Sequence, residues 1–215
     1  MKKIVLYSLI FLVMSFNTTS YCQNTIEIIW QKTLGGSKCD MASDIIATPD
    51  GGYVIVGHTN SNDGDVLGWH EGYDENDYPY PDSWIVKLDK DGNMVWQKTF
   101  GGSGEDIATS ITVTPDDGYI VAGWTGSSDG DVSGNHGDSD FWIVKLDKDG
   151  NIVWRRTFGG SGWDAASAIA VTPDGGYIVV GDTKSNDGDI KGWHEGYDEY
   201  GTPFPDFWIV KLGWK

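Results

Sequence analysis

Three stretches of this sequence place two carboxylates around a glycine at one spacing: Asp63 and Asp65, Asp129 and Asp131, Asp187 and Asp189. Hard oxygen ligands at alternate positions of a glycine turn are what calcium asks of a loop. An Asx turn uses the same residues to bond its own backbone amides. The spacing is shorter than an EF-hand loop and has no closing glutamate, so calcium stands as an expectation beside the turn. One histidine follows each pair, at His70, His136 and His194, while His58 stands alone. Three imidazoles related by a pseudo-threefold would converge on a metal at the axis of a tight ring; the rival expectation is solvated loop residues beside acids. The first and third stretches are longer and add aromatics, Trp69, Tyr73, Tyr78 and Tyr80, then Trp193, Tyr197, Tyr200 and Phe204. With Glu71, Asp74, Glu195 and Asp198 they could stack sugar rings and bond their hydroxyls, or fold each long loop onto its own scaffold. Trp69, His70, Glu71, Tyr73, Trp193, His194, Glu195 and Tyr197 are therefore the candidate ligand-binding residues.

Catalysis has weaker support. A hydrolase would use carboxylates such as Glu71 and Glu195 as acid and base, and needs them in unlike environments. These two occupy equivalent places in near-identical loops. The segments GGSKCD, GGSGED and GGSGWD end at Asp40, Asp106 and Asp164. With no Lys-Ser/Thr and no helix after them they are not phosphate cradles, and each Asp is expected to bond loop amides. DKDGN at Asp89–Asn93 and Asp147–Asn151 echoes a calcium loop but is explained by a strand hairpin. No nucleophile–base–orienter set, thiol-metal cluster or dinucleotide fingerprint is present.

These residues ride on a tandem repeat. Windows 99–134 and 157–192 match at 24 of 36 positions without a gap, and Trp30, Trp96 and Trp154 lie 66 and 58 residues apart. Copies of common origin follow, with repeat one at 34–100, repeat two at 101–158 and repeat three at 159–215. Each copy reads as four short strands. The first covers Ser43–Thr48, Thr109–Thr114 and Ser167–Thr172 and ends in a Thr-Pro-Asp turn. The second, Tyr53–Thr59, Tyr119–Thr125 and Tyr177–Thr183, is apolar enough for burial on both faces. The third, Ser83–Asp89, Phe141–Asp147 and Phe207–Leu212, alternates Trp, Val and Leu inward with Ile and Lys outward. The fourth carries the anchor tryptophan, and a lone copy of it is expected at Thr25–Thr33.

Antiparallel four-stranded units in tandem predict an all-β, propeller-like array of three blades, with the N-terminal strand completing the last. Propellers typically have four to eight blades. Three blades closing tightly, two chains pairing into six and an open arc with exposed strand edges are the alternatives. Strand alternation puts the glycine-rich crossovers and the carboxylate loops on one rim, where binding usually resides.

The first 22 residues carry Lys2, Lys3 and an apolar run from Ile4 to Phe16, too short to span a bilayer. They read as an export signal, with a lipidated Cys22 as the rival to simple cleavage. Removing the two lysines takes the formal charge from −17 to −19. So acidic a chain repels phosphate backbones, which argues against nucleic acid as a partner. Cys39 would then be the sole thiol, so no intrachain disulfide is expected.

The motifs GGSGxDxAxS, TPDGGYIVxGxT, SNDGDVxG and DFWIVKLDxDGNIxW resemble the propeller-type repeats of secreted Bacteroidota proteins. That resemblance spans essentially the whole chain beyond residue 22. It implies a propeller fold and export, to the periplasm or the exterior, and no shared activity. Such arrays often precede a type IX secretion sorting domain, and none follows Leu212. The function expected is a non-catalytic binding module recognising glycan or protein, with an assembly scaffold as the alternative.

Overall fold

The computed structural model describes residues 25–214; the expected export leader and Cys22 lie outside the described residues. Among the described residues eleven strands form three antiparallel sheets. Sheet one holds β1 (Asp40–Ala47), β2 (Tyr53–Thr59), β3 (Asp82–Leu88) and β4 (Met94–Phe100). Sheet two holds β5 (Asp106–Val113), β6 (Tyr119–Thr125), β7 (Asp140–Leu146) and β8 (Ile152–Phe158). Sheet three holds only β9 (Asp164–Val171), β10 (Tyr177–Thr183) and β11 (Asp206–Leu212). No helix among the described residues is long and apolar enough to cross a membrane.

Each sheet is a meander. Its first turn is set by the Thr-Pro-Asp run, where Thr48 N donates to Gly52 O at 2.9 Å. Its last is set by an Asx turn in which Asp89 Oδ1 accepts from the amides of Asp91 (2.9 Å) and Asn93 (2.8 Å). The DKDGN segments thus serve the hairpin. The first strands begin three residues earlier than expected, at Asp40, Asp106 and Asp164, and each is bulged beside a glycine of its neighbour.

The sheets stack face to face. One face of sheet two, with Ile111, Val121, Trp142, Val144 and Leu146, packs on Val54, Val56, Ile85 and Phe100 of sheet one. Ile169, Val179, Trp208 and Val210 pack in the same way on Ile120, Ala122, Phe141 and Ile143 of sheet two. This corrects the expected alternation in the third strand of each copy. Ile85 and Lys87 were assigned to an outward face, yet every residue of β3 and β7 is buried, because the following sheet covers that face. Lys87 remains satisfied there: its Nζ donates to Thr48 Oγ1 at 2.6 Å and to Asp50 Oδ1 at 2.8 Å.

The anchor tryptophans join neighbouring sheets through tilted ring contacts, Trp96 against Tyr119 and Trp154 against Tyr177 with ring centroids 6.3 and 6.0 Å apart. Trp30 makes the equivalent contact with Tyr53 at 5.9 Å. The expected strand at Thr25–Thr33 is thus seated where a fourth strand belongs, but it carries no strand hydrogen bonds. Nor does it complete the last sheet, since β11 pairs only with β10. The reason is spatial: Trp30 fixes the segment against sheet one, and β11 edges the sheet at the other end of the stack.

Candidate functional site

The glycine-rich crossovers and the long loops meet on one rim and bond to each other. Asp106 leaves its crossover fully buried and accepts from Gly102 N (2.8 Å), Ser127 Oγ (2.7 Å) and the Thr125 hydroxyl. Asp40 and Asp164 repeat the pattern with Gly36 and Gly160. The expected amide-bonding role of these aspartates is what the geometry shows, with two hydroxyls in addition.

The paired aspartates are occupied by the same crossovers. Asp63, Asp129 and Asp187 each accept the amide of a crossover serine, Ser37, Ser103 and Ser161, at 2.7 Å. Those amides hold the three carboxyls below the usual range. Asp65 and Asp189 accept from Gly35 N at 3.1 Å and Gly159 N at 3.3 Å, and Asp131 N donates to Gly101 O at 2.7 Å. Among the described residues no three His, Cys, Asp or Glu side chains converge as a metal would need. The paired carboxylates thus tie their loop to the crossover, accepting amides 26 to 30 residues away rather than closing Asx turns on their own backbone.

The histidines do not converge on an axis; each is held by an aspartate that begins the third strand of its own copy. His70 Nδ1 lies 2.8 Å from Asp82 Oδ2, His136 Nδ1 2.5 Å from Asp140 Oδ2 and His194 Nδ1 2.9 Å from Asp206 Oδ2. The same carboxylate oxygen also accepts the histidine's own amide. Asp82 and Asp140 are fully buried, and the Oδ1 of each has no hydrogen-bond partner. Each faces a crossover aspartate of the next sheet, with Gly101 between Asp82 and Asp106 and Gly159 between Asp140 and Asp164. Burial raises Asp82 to about 6 and Asp106 to about 7. Asp140 is also raised by burial, and the hydrogen bond to Asp140 raises His136. The junction carboxyls are buried, while His70 and His136 keep 31 % and 44 % of their side-chain surface open to solvent, so the titration of the carboxyls acts on the fold.

The two long loops are small hairpins, bridged at Tyr73–Pro79 and Tyr197–Pro203. Trp69 Nε1 donates to Tyr80 O at 2.9 Å, and its ring stands edge-on to Tyr73 at 5.7 Å. Trp193 copies this with Phe204 O (3.3 Å) and Tyr197 (5.8 Å). Both tryptophans therefore clamp their loops, while Glu71, Glu195, Tyr73 and Tyr197 are exposed. Trp69→Ala is expected to untie the hairpin, seen as faster amide hydrogen exchange at Asp74 and Tyr80, the two donors of its ladder.

Sequence reading missed a cleft of about 500 Å³ on this rim, lined by Tyr80, Glu105, Trp124, Ser128, Asp138 and Trp163 among others. Trp124 ends β6, Trp163 sits in the third crossover with Lys184 Nζ 5.6 Å from its ring centroid, and both are half-buried. A signal was available. Among copies otherwise alike, Trp124 replaces His58 and Asp182, Glu105 and Trp163 replace one another, and Gly126 stands where copy three has Lys184. The shorter loop of copy two leaves the cleft open.

A family model described as a divergent InlB B-repeat domain matches residues 89–142, 54 of the 215 residues. The match runs from the last hairpin of sheet one to the start of β7, so it marks a repeat-type sequence that straddles two sheets. No curated protein matches the chain.

Proposed function

We propose that the protein is a non-catalytic carbohydrate-binding module of propeller type, its sheets acting as blades and its ligand seated between Trp124 and Trp163. The observation that carries this reading is the cleft itself. Near-identical copies diverge at the residues that line it, whereas structural turns stay constant. Indole faces supply apolar area for a sugar ring, and Glu105, Asp138 and Ser128 on its walls supply oxygens for hydroxyls. The acidic wall and the formal charge of −17 favour a neutral sugar over an anionic one. The resemblance to exported repeat proteins supports a ligand met in the periplasm or outside the cell.

The test is titration calorimetry against a panel of neutral soluble glucans, mannans and xylans. Trp124→Ala and Trp163→Ala are each expected to weaken binding about 30-fold, the loss of about 2 kcal/mol typical of a central aromatic anchor. Both rings are half-exposed, so thermal midpoints should stay within a few degrees of the parent. Unchanged affinity in both variants, or no binding by the parent protein to any of the panel, would remove the proposal.

A further inference from the structure

The two ends of the sheet stack are complementary, and we infer that a second copy of this chain joins them head to tail. Three independent features at one end lack what the other end offers.

The first is the apolar face. Phe141 and Ile143 of sheet two are fully buried beneath sheet three, but their counterparts in sheet three, Phe207 and Ile209, are 83 % and 63 % exposed. At the opposite end Ile45 is 57 % exposed, where its counterpart Ile111 in sheet two is 3 % exposed. The receiving face continues through Ile55, Trp84, Val86 and Leu88, which line a hollow of about 410 Å³ under Trp30. The face of sheet three is thus the surface that the face of sheet one packs on in every internal junction.

The second feature is an unpaired strand edge. Sheet three has an unpaired edge at β11, and residues 28–34, IIWQKTL, repeat the β4 sequence MVWQKTF with no partner strand. In sheet one Trp84 is opposite Thr99 and Ile85 is opposite Lys98. The same register sets Thr33 opposite Trp208 and Lys32 opposite Ile209 of the other copy. It also gives Trp208 Nε1 an acceptor in Gln31, as Trp84 Nε1 has in Gln97 Oε1 at 2.8 Å.

The third feature is the junction of carboxyls. A side chain at Gly101 would meet both Asp106 and Asp82, whereas at Gly35 the three nearest atoms all belong to Asp40. His194 and Asp206 hold the other half of that junction, and His194 is 89 % exposed. Joining the ends brings Asp206 to Asp40 and completes a third junction.

A heterologous contact of this kind closes into a ring when its rotation allows. The three described sheets of two copies give six, within the four to eight that propellers use. The occupant is therefore a second copy, and each chain gives its residues 28–34 to the other's β11.

The experiment uses the purified full-length chain with Cys22 and Cys39 replaced by serine. Light scattering should give twice the chain mass, and Gln31→Pro, in a segment that pairs with nothing inside its own chain, should halve it while circular dichroism is retained. Lys32→Cys and Ile209→Cys are then placed on separate chains and mixed under oxidation, so that only a contact between chains can link them. A disulfide-linked pair at twice the chain mass is expected. A single-chain mass for the parent, or a disulfide that forms only when both cysteines are on one chain, overturns the inference.

Discussion

Gly101→Ala is expected to lower the thermal midpoint by about 6–12 °C, far more than a glycine-to-alanine change on the surface. The added carbon would stand 2.5 Å from Asp106 Oδ2 and 2.7 Å from Asp82 Oδ1. Neither oxygen can retreat cheaply. Asp106 is pinned by an amide and two hydroxyls, and Asp82 by the amide and ring of His70. Overpacking of this kind costs about 3 kcal/mol, and at this size about 1 kcal/mol moves the midpoint by roughly 2–4 °C. Gly175→Ala is the control. Its φ is +79° and nothing lies within 4 Å of the added carbon, so it pays only the left-handed backbone cost of about 1 kcal/mol. Scanning calorimetry of the two variants separates crowding from conformation. If Gly101→Ala melts no lower than the control, the carboxyls swing freely and the junction is not packed as described.

Much of the fold was legible because each copy repeats its local chemistry. The second strands fall where the apolar runs put them, Tyr53–Thr59, Tyr119–Thr125 and Tyr177–Thr183. The hairpin turns follow from Asp-Gly and Pro-Asp. Burial was less legible, since alternation reports one sheet against solvent and cannot register a second sheet laid on the other face. Lys87 and Lys145 read as outward for that reason, and both are buried. The N-terminal segment was recognisable as a fourth strand from its tryptophan, but pairing needs an edge that no local pattern specifies.

The candidate site was legible in its parts and not in its assembly. The crossover aspartates Asp40, Asp106 and Asp164 read correctly as amide acceptors, whereas the paired loop aspartates, spaced as calcium or an Asx turn would have them, accept amides of the distant crossover. The His–Asp pairs were harder to find: twelve residues separate His70 from Asp82 and four separate His136 from Asp140. A loop insertion therefore hides a contact that is constant in space. The aromatics singled out as ligand-binding, Trp69 and Trp193, spend their indole nitrogens inside their own loops. Trp124 and Trp163 lie outside the pattern the copies share, and in a repeat the departures from that pattern mark what one copy does alone.

The buried junctions also set the pH at which the fold is most stable. Burial raises Asp82 to about 6 and Asp106 to about 7, against an ordinary value near 3.8. The folded state thus binds these protons more tightly than the unfolded chain does. Their contribution is complete below about pH 4 and is lost as pH rises through 6 and 7. His136, raised by Asp140, adds in the same direction above its ordinary 6.5. The turn aspartates act oppositely. The Thr114 hydroxyl, followed by Lys145, lowers Asp116 to about 2, and Asp50 and Asp174 are lowered by Lys87 and Lys211, so their stabilisation is lost as pH falls below 3.8. Stability should therefore peak near pH 4–5, and deprotonating Asp82 alone by pH 8.5 should cost on the order of 3 kcal/mol, or about 6–12 °C in midpoint. Asp82→Asn removes one of the paired acids, and its amide can still accept from His70 N while presenting a donor toward Asp106. The variant should melt closer to its pH 5 value at pH 8.5, flattening the alkaline limb and leaving the acid limb unchanged. An alkaline limb as steep as the parent's would place the pH dependence outside the Asp82–Asp106 junction, because the groups facing it are His70, Asp131 and Asp106 itself.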